Sequence, residues 1–501
     1  MYIYALIVEI CRKFPVVPST TSLSSRLLRR KPVETLIAES AGSGDPGRLR
    51  RSIGLWQLSA IGIGATVGTG IFFVLSSAVP EAGPAVVLSF LLAAVTAGLT
   101  ALCYAELASA IPVAGSSYSY AYATLGEATA FGVGVCLLLE YGVSASAIAV
   151  SWGQYLNKFC ELAFGFGIPA WLAQPPGDGG YVNLPAVVLV ALVCLLLVRG
   201  VSESAKVNAA MVAIKIAVLL LFVAVGLTGY RSGNLHDFMP LGWSGVGTAA
   251  SGIFFSFIGL DAVSTAGEEV RDPRRTLPLA IIISLVVVTL LYVLVAVAAI
   301  GAQPWQRFGG QEAGLAQILQ DLTGQTWPAL LFALGAIVSI FSVTLVVIYG
   351  QTRILYSMGR DGMLPARFAE VSPRTGTPVW NTVVVGVAVA ALAAFVPLDI
   401  LTDLTSLGTL VAFTVVSLGV IVLRRRSPEL RRGFKVPGYP VTPLLSVAFC
   451  IYLIRGLQPL TFVFFGVALL LAAACYLGYG IRHSRLEYTA VAPRSELTPQ
   501  G

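Results

Sequence analysis

Twelve apolar runs divide the chain, and no other feature constrains its fold as strongly. They lie at about 55–77, 85–111, 128–157, 184–199, 207–229 and 247–267, then 276–302, 327–352, 379–397, 402–423, 443–457 and 459–480. About 18 or more apolar residues in a helix can cross roughly 30 Å of hydrocarbon, and inside lipid a helix satisfies its own backbone N–H and C=O groups. The runs at 184–199 and 443–457 are short, and only Gln458 and Pro459 separate the last two. Composition agrees: 56% of residues are hydrophobic, 11% are charged and the mean hydropathy is +0.83, whereas soluble proteins carry about 25% charge. The expected fold is an all-α polytopic membrane protein. An N-terminal segment over 1–54 precedes one transmembrane domain over 55–480, and a polar tail over 481–501 follows it.

The basic residues orient the runs. An even number of crossings returns both termini to one side, and 27 of the 32 Lys and Arg residues fall on that side. Four lie opposite (Lys158, Arg231, Arg307 and Arg455), and Lys215 alone lies inside a run. By the excess of basic residues in cytoplasmic loops, both termini are expected in the cytoplasm, with the chain in the plasma membrane. The net charge of +7 is spread over short loops rather than gathered on one face, so nucleic acid is not an expected partner. The apolar start, Met1 to Ile10, carries its charges after the apolar stretch, unlike a signal peptide.

Runs 1–5 cover 55–229 and runs 6–10 cover 247–423, almost equal lengths. Five crossings is odd, so two such halves have opposite orientation, which is the outline of an inverted repeat; two further helices over 443–480 complete the domain. The first helix of each half is also the most interrupted. Run 1 holds Gly62, Gly64, Gly68 and Gly70 within nine residues, and run 6 holds Gly252, Ser256 and Gly259. An offset of 192 carries 64–70 onto 256–262, so the interruptions coincide. Paired breaks in corresponding helices point to a transporter binding site.

Glycine costs a helix about 1 kcal/mol relative to alanine, and an unwound backbone in lipid needs protein, water or ligand to satisfy it. A zwitterionic amino acid does both: its carboxylate accepts from N–H groups at one half-helix end, and its ammonium donates to freed carbonyls. Close helix packing is the competing reading of Gly62, Gly64 and Gly68. The matched break in run 6 favours binding. A dinucleotide site is excluded, because the spacing is GxGxxxG and no strand precedes it.

These residues, with their neighbours, resemble a known family. GIGATVGTGIF at 62–72, YAELASAIPVAGSSYSYAY at 104–122, LLLEY at 137–141, FFSFIGLDAVSTAGEEVRDPRRTLPLAI at 254–281, FKVPGYP at 434–440 and YGIRHSR at 479–485 are similar to the bacterial branch of the cationic amino acid transporters, within the amino acid/polyamine/organocation superfamily. The resemblance implies two intertwined five-helix repeats, helices 1 and 6 broken at mid-membrane, and proton-coupled amino acid uptake. It implies that the N–H groups of Thr69 and Gly70 hold the substrate carboxylate, and that the carbonyls of Thr66, Phe255, Ser256 and Ile258 hold the ammonium. Cys136 and Ser256 depart from the family pattern, in which tryptophan and a small apolar residue are usual; this bears on substrate size.

Ionisable groups inside the runs are costly and therefore candidates for function. Lys215 lies about 12 Å from its span end, too deep to snorkel easily. Desolvation disfavours its charged form, so it is a candidate proton-coupling residue; a structural ion pair is the alternative. Asp261 follows the second break and could face the substrate or orient the backbone. Glu140 could meet a cationic side chain or make an interhelical hydrogen bond. Glu106, near the end of run 2, reads as structural, and Pro273 in Arg271-Asp272-Pro273 reads as a helix stop.

The expected function is import of cationic or small neutral amino acids by alternating access, driven by protons. An exchanger without proton coupling and a non-transporting sensor are the alternatives. An integral membrane enzyme is disfavoured, since both histidines, His236 and His483, fall outside the runs. Seven cysteines without CxxC pairing suggest neither disulfides nor zinc. No cofactor or metal is expected. The partners are an amino acid, protons and the lipid bilayer; the sequence leaves open whether a small membrane subunit accompanies the chain.

Overall fold

The computed structural model describes residues 27, 29–33, 53–68, 70–113, 115–200, 205–267, 269–373 and 375–485. Its elements are helical; among the described residues the one β-bridge joins Ile53 to Val270. We number the principal helices α1 (Leu55–Thr66), α2 (Val74–Ala82), α3 (Val86–Ala110), α4 (Ser116–Thr124), α5 (Glu127–Phe164), α6 (Leu184–Val198), α7 (Ala205–Thr228) and α8 (Gly242–Ile253). They continue as α9 (Ala262–Thr265), α10 (Pro273–Ala302), α11 (Gly314–Thr323), α12 (Thr326–Arg360), α13 (Val379–Phe395), α14 (Leu398–Arg426), α15 (Val441–Ile454) and α16 (Pro459–Cys475).

Among the described residues, eight helical stretches are long and apolar enough to cross a membrane, and α6, α13 and α15 are shorter apolar helices. Each of the twelve expected runs falls on described helix, the first on α1 and α2 and the sixth on α8 and α9. The helices outrun the apolar stretches: α5 has 38 residues against the expected 128–157, about 57 Å at 1.5 Å per residue. Its extra turns carry Lys158 and Glu161, which pair at 3.5 Å. Apolarity marks only the part of a helix inside hydrocarbon, so it cannot reveal such extensions. Pro273 corrects another expectation: it does not stop a helix but opens α10 at the first helical position. Its missing N–H belongs to a group that has no intrahelical partner there anyway.

Helices that correspond in the two sequence halves pack on each other. α3 lies against α10, α5 against α12 and α6 against α13, while α1 and α2 meet α9 and α8. The outer surface is apolar, with Leu470 and Leu471 of α16 about 70% exposed, as lipid contact requires. At one end of the bundle, residues 29–33 run across the helix termini. The Arg29 carbonyl accepts from the Glu127 N–H at 2.7 Å, and the Lys31 N–H donates to the Tyr122 carbonyl at 3.3 Å.

Candidate functional site

The first break starts where α1 runs out. Val67 is extended (φ −71°, ψ 112°), and Gly68 follows with φ +114°, a conformation that only glycine adopts at little cost. The chain re-enters helix through Phe73, whose N–H donates to the Gly70 carbonyl at 3.0 Å. The second break is similar. α8 tightens into a 3-10 turn over Phe254–Phe257, Ile258 is extended (φ −63°, ψ 145°), and Gly259 has φ +97°. The two positive-φ glycines are 191 positions apart, one residue from the offset of the sequence halves.

The breaks are packed together. A Cβ on Gly259 would meet the Ala65 carbonyl oxygen at 2.8 Å, and one on Gly70 would meet Phe255 Cδ1 at 2.9 Å and Ser256 Cα at 3.0 Å. Gly62 is equally confined, since a Cβ there would meet Ser284 Oγ and Val263 Cγ2 at 2.5 Å. Gly62 and Gly64, expected at the helix break, instead lie inside α1 and allow close packing, while Gly68 and Gly259 carry the positive φ at the breaks. Thr66, Gly70, Phe255, Ser256, Ile258 and Gly259 are brought to one buried region. Thr69 lies outside the described residues.

Two side chains from other helices bind the carbonyls of α1. Lys215 of α7, 1% exposed, donates from Nζ to the Gly64 carbonyl at 2.8 Å. The Tyr292 hydroxyl of α10 donates to the Thr66 carbonyl at 2.8 Å. Gly64 permits the first contact, because a Cβ there would meet Val212 Cγ2 at 2.7 Å, one turn along α7 from Lys215. The Phe255 carbonyl accepts the Ile258 N–H at 3.2 Å. Tyr292 escaped the sequence reading, since an aromatic in an apolar run carries no signal of its hydrogen bond.

The acids divide into two groups. Asp261 (2% exposed) and Glu140 (1% exposed) are both buried. Tyr141 of α5 donates to Asp261 Oδ2 at 3.0 Å, while among the described residues Asp261 Oδ1 and both Glu140 carboxylate oxygens meet no hydrogen-bond partner. Unsatisfied buried carboxylate oxygens are expensive unless the group is protonated or another charge or donor arrives. Glu106 is the opposite case. It accepts from Arg424 Nε at 2.7 Å and from the Val436 N–H at 2.7 Å, and Arg432 Nε lies at 3.4 Å. These contacts join Glu106 of α3 to α14 and to the segment after it.

A buried, all-helical frame with two helices broken opposite each other, and with ionisable groups at the breaks, defines a membrane transport protein. The sequence comparisons make the class specific. The family model for amino acid permeases matches residues 53–474, and the chain belongs to that family, as the resemblance of its motifs indicated. It is 42% identical over 468 residues to the branched-chain amino acid permease BcaP of Bacillus subtilis, covering 93% of this chain and all of that one. It is 40% identical to the methylthioribose transporter of the same organism, over 92% of this chain and 99% of that one. It is 38% identical to the vacuolar cationic amino acid transporter 4 of Arabidopsis thaliana, over 80% of this chain and 68% of that one. These relatives are named as permeases and transporters, not as enzymes.

Proposed function

We propose that the protein carries an amino acid, cationic or small neutral, across the plasma membrane by alternating access, with uptake coupled to protons through Lys215. The observation that carries this reading is the contact of Lys215 with the Gly64 carbonyl, one turn before the first break. An ammonium there donates its protons to α1; after deprotonation the amine is a weaker donor and the local charge is gone. A proton on Lys215 is thereby tied to the geometry of α1, which carries half of the substrate site.

In this reading the substrate carboxylate takes the N–H groups of Thr69 and Gly70, and the ammonium takes carbonyls among Thr66, Phe255, Ser256 and Ile258. The pairing of α3 with α10, α5 with α12 and α6 with α13 supports the inverted repeat, and the excess of basic residues on one side of the runs supports both termini in the cytoplasm. In this reading Glu140 and Asp261 face the substrate's side chain. Their unpartnered oxygens suit either a cationic substrate group or a second proton. The relatives' names add branched-chain side chains and a methylthio sugar to the substrates worth testing.

The test is uptake of labelled amino acids into proteoliposomes with an imposed pH gradient, preceded by a thermal-shift screen of amino acids, ornithine and polyamines. Ligand stabilisation grows as RT ln(1 + [L]/Kd), so a substrate stands out in the screen. Gradient-driven accumulation without internal substrate supports the symporter. Flux that requires internal substrate identifies an exchanger, and stabilisation without flux identifies a sensor.

A further inference from the structure

Arg29, Arg30 and Lys31 are consecutive cations, and the structure treats the middle one differently. Arg29 Nη2 donates to Glu127 Oε1 at 3.0 Å and to the Ile481 carbonyl at 3.1 Å. Glu127 is fully buried and also accepts from Tyr122, Tyr476 and Ser484 hydroxyls at 3.1, 3.0 and 2.6 Å. Lys31 Nζ lies 3.3 Å from Asp361 Oδ1, which shares its carboxylate with the Tyr118 hydroxyl. Both flanking cations are thus neutralised and the segment is pinned. Among the described residues, the buried Nε of Arg30, between them, has no hydrogen-bond partner.

Arg30 borders a cavity of about 250 Å³ whose wall includes Lys31, Thr124, Leu423, Arg426 and Ser427, and among the described residues no acidic side chain lines it. The space is large enough for several waters or one compact polar group. Arg426 stands in the last turn of α14, where an arginine would ordinarily cap the terminal carbonyls. That work is done by Arg432, whose guanidinium donates to the carbonyls of Leu423, Ser427, Pro428 and Leu430 at 2.8 to 3.3 Å. Arg426 is left for the cavity.

We propose that this cavity is a binding site for a phosphate-bearing anion, held by the Arg30 and Arg426 guanidinia, with the ion-paired Lys31 as a third, weaker charge. A guanidinium fork fits phosphate oxygens in pairs, and Arg30 and Arg426 both border this space. The cavity lies where the transmembrane helix α14 ends, the level at which basic pockets between helices meet lipid headgroups. The shared chemistry is a phosphate, and its source is either an anionic lipid or a soluble phosphate.

The test uses the full chain in nanodiscs of phosphatidylcholine, with phosphatidylglycerol added in one arm and inorganic phosphate in the other, read by thermal unfolding and by native mass spectrometry of retained lipid. One of the two probes stabilises the wild-type protein; phosphatidylglycerol identifies a headgroup site and inorganic phosphate a soluble one. Arg30→Gln with Arg426→Gln removes the charge-assisted hydrogen bonds and weakens that probe by about tenfold or more. Should the double variant not fold, Arg426→Gln alone, at an exposed helix end, decides the matter. Stabilisation by neither probe, or stabilisation unchanged in the variants, overturns the proposal.

Discussion

Gly259 faces the carbonyl of Ala65 so closely that there is no room for a Cβ between them, and one helix break forms part of the wall of the other. With φ at +97°, Gly259 occupies backbone space costing an L-residue about 1–2 kcal/mol, and a Cβ would also strike the Ala65 oxygen at 2.8 Å. Gly259→Ala therefore lowers the thermal unfolding temperature and depresses uptake per folded molecule. Gly252→Ala is the control, because no atom lies within 4 Å of its Cβ position and alanine favours the helix by about 1 kcal/mol. Equal behaviour of the two variants would show that the close approach is not required.

Gly70 makes a sharper case. A Cβ there meets Ser256 Cα at 3.0 Å as well as side-chain atoms, and Cα cannot be removed by mutation. Gly70→Ala should lose most transport, and adding Ser256→Ala should not restore it. Recovery in the double variant, measured as initial uptake rate, would mean that only the serine hydroxyl stands in the way.

Glu106 predicts a stability effect separate from transport selectivity. Its carboxylate is 1% exposed and serves Arg424, Arg432 and the Val436 N–H. Breaking a buried pair by removing one partner costs about 3–5 kcal/mol, so Glu106→Gln should unfold at a clearly lower temperature in detergent. The relative uptake of different amino acids by the folded fraction should be unchanged. A change in that ranking would place Glu106 in the substrate path.

How much of this was legible in the sequence depends on what kind of signal each residue leaves. Gly68 and Gly259 were visible because glycine in an apolar run is unfavourable in itself, and their spacing repeats the spacing of the halves. Lys215 and Glu106 were visible as charges in hydrocarbon, but their partners were not: Gly64 contributes only a carbonyl, and Arg424 and Arg432 are more than 300 positions from Glu106. Tyr141 and Tyr292 were invisible as site residues, since a tyrosine among leucines and valines is equally at home as core. Helix ends beyond the hydrocarbon, as in α5, and the role of Pro273 at the start of α10 depend on local backbone geometry that apolar run length does not encode.

Tyr141 and Asp261 supply a coupling measurement. The hydroxyl donates to Asp261 Oδ2 at 3.0 Å and connects α5 to the segment after the second break. Tyr141→Phe leaves the buried carboxylate without that donor, a loss of about 1–3 kcal/mol. In an Asp261→Asn background the same substitution should cost less, giving a coupling energy of about 0.5–3 kcal/mol in a double-mutant cycle of thermal stability. Strict additivity would mean that the contact does not hold the two segments together.

Lys215 allows the proton-coupling reading to be separated from a merely structural one by a pair of substitutions. Alanine removes both the contact to the Gly64 carbonyl and the titrating group, so Lys215→Ala should abolish the pH dependence of uptake while part of the substrate binding survives. Arginine keeps the positive charge and can still donate to a carbonyl, yet it does not release its proton in proteins. If Lys215 served only as a fixed cation, Lys215→Arg would keep the wild-type pH dependence. If its deprotonation is part of the transport cycle, Lys215→Arg binds substrate, as thermal shift would report, but loses proton-driven accumulation in proteoliposomes, and exchange of internal for external substrate is the activity it retains.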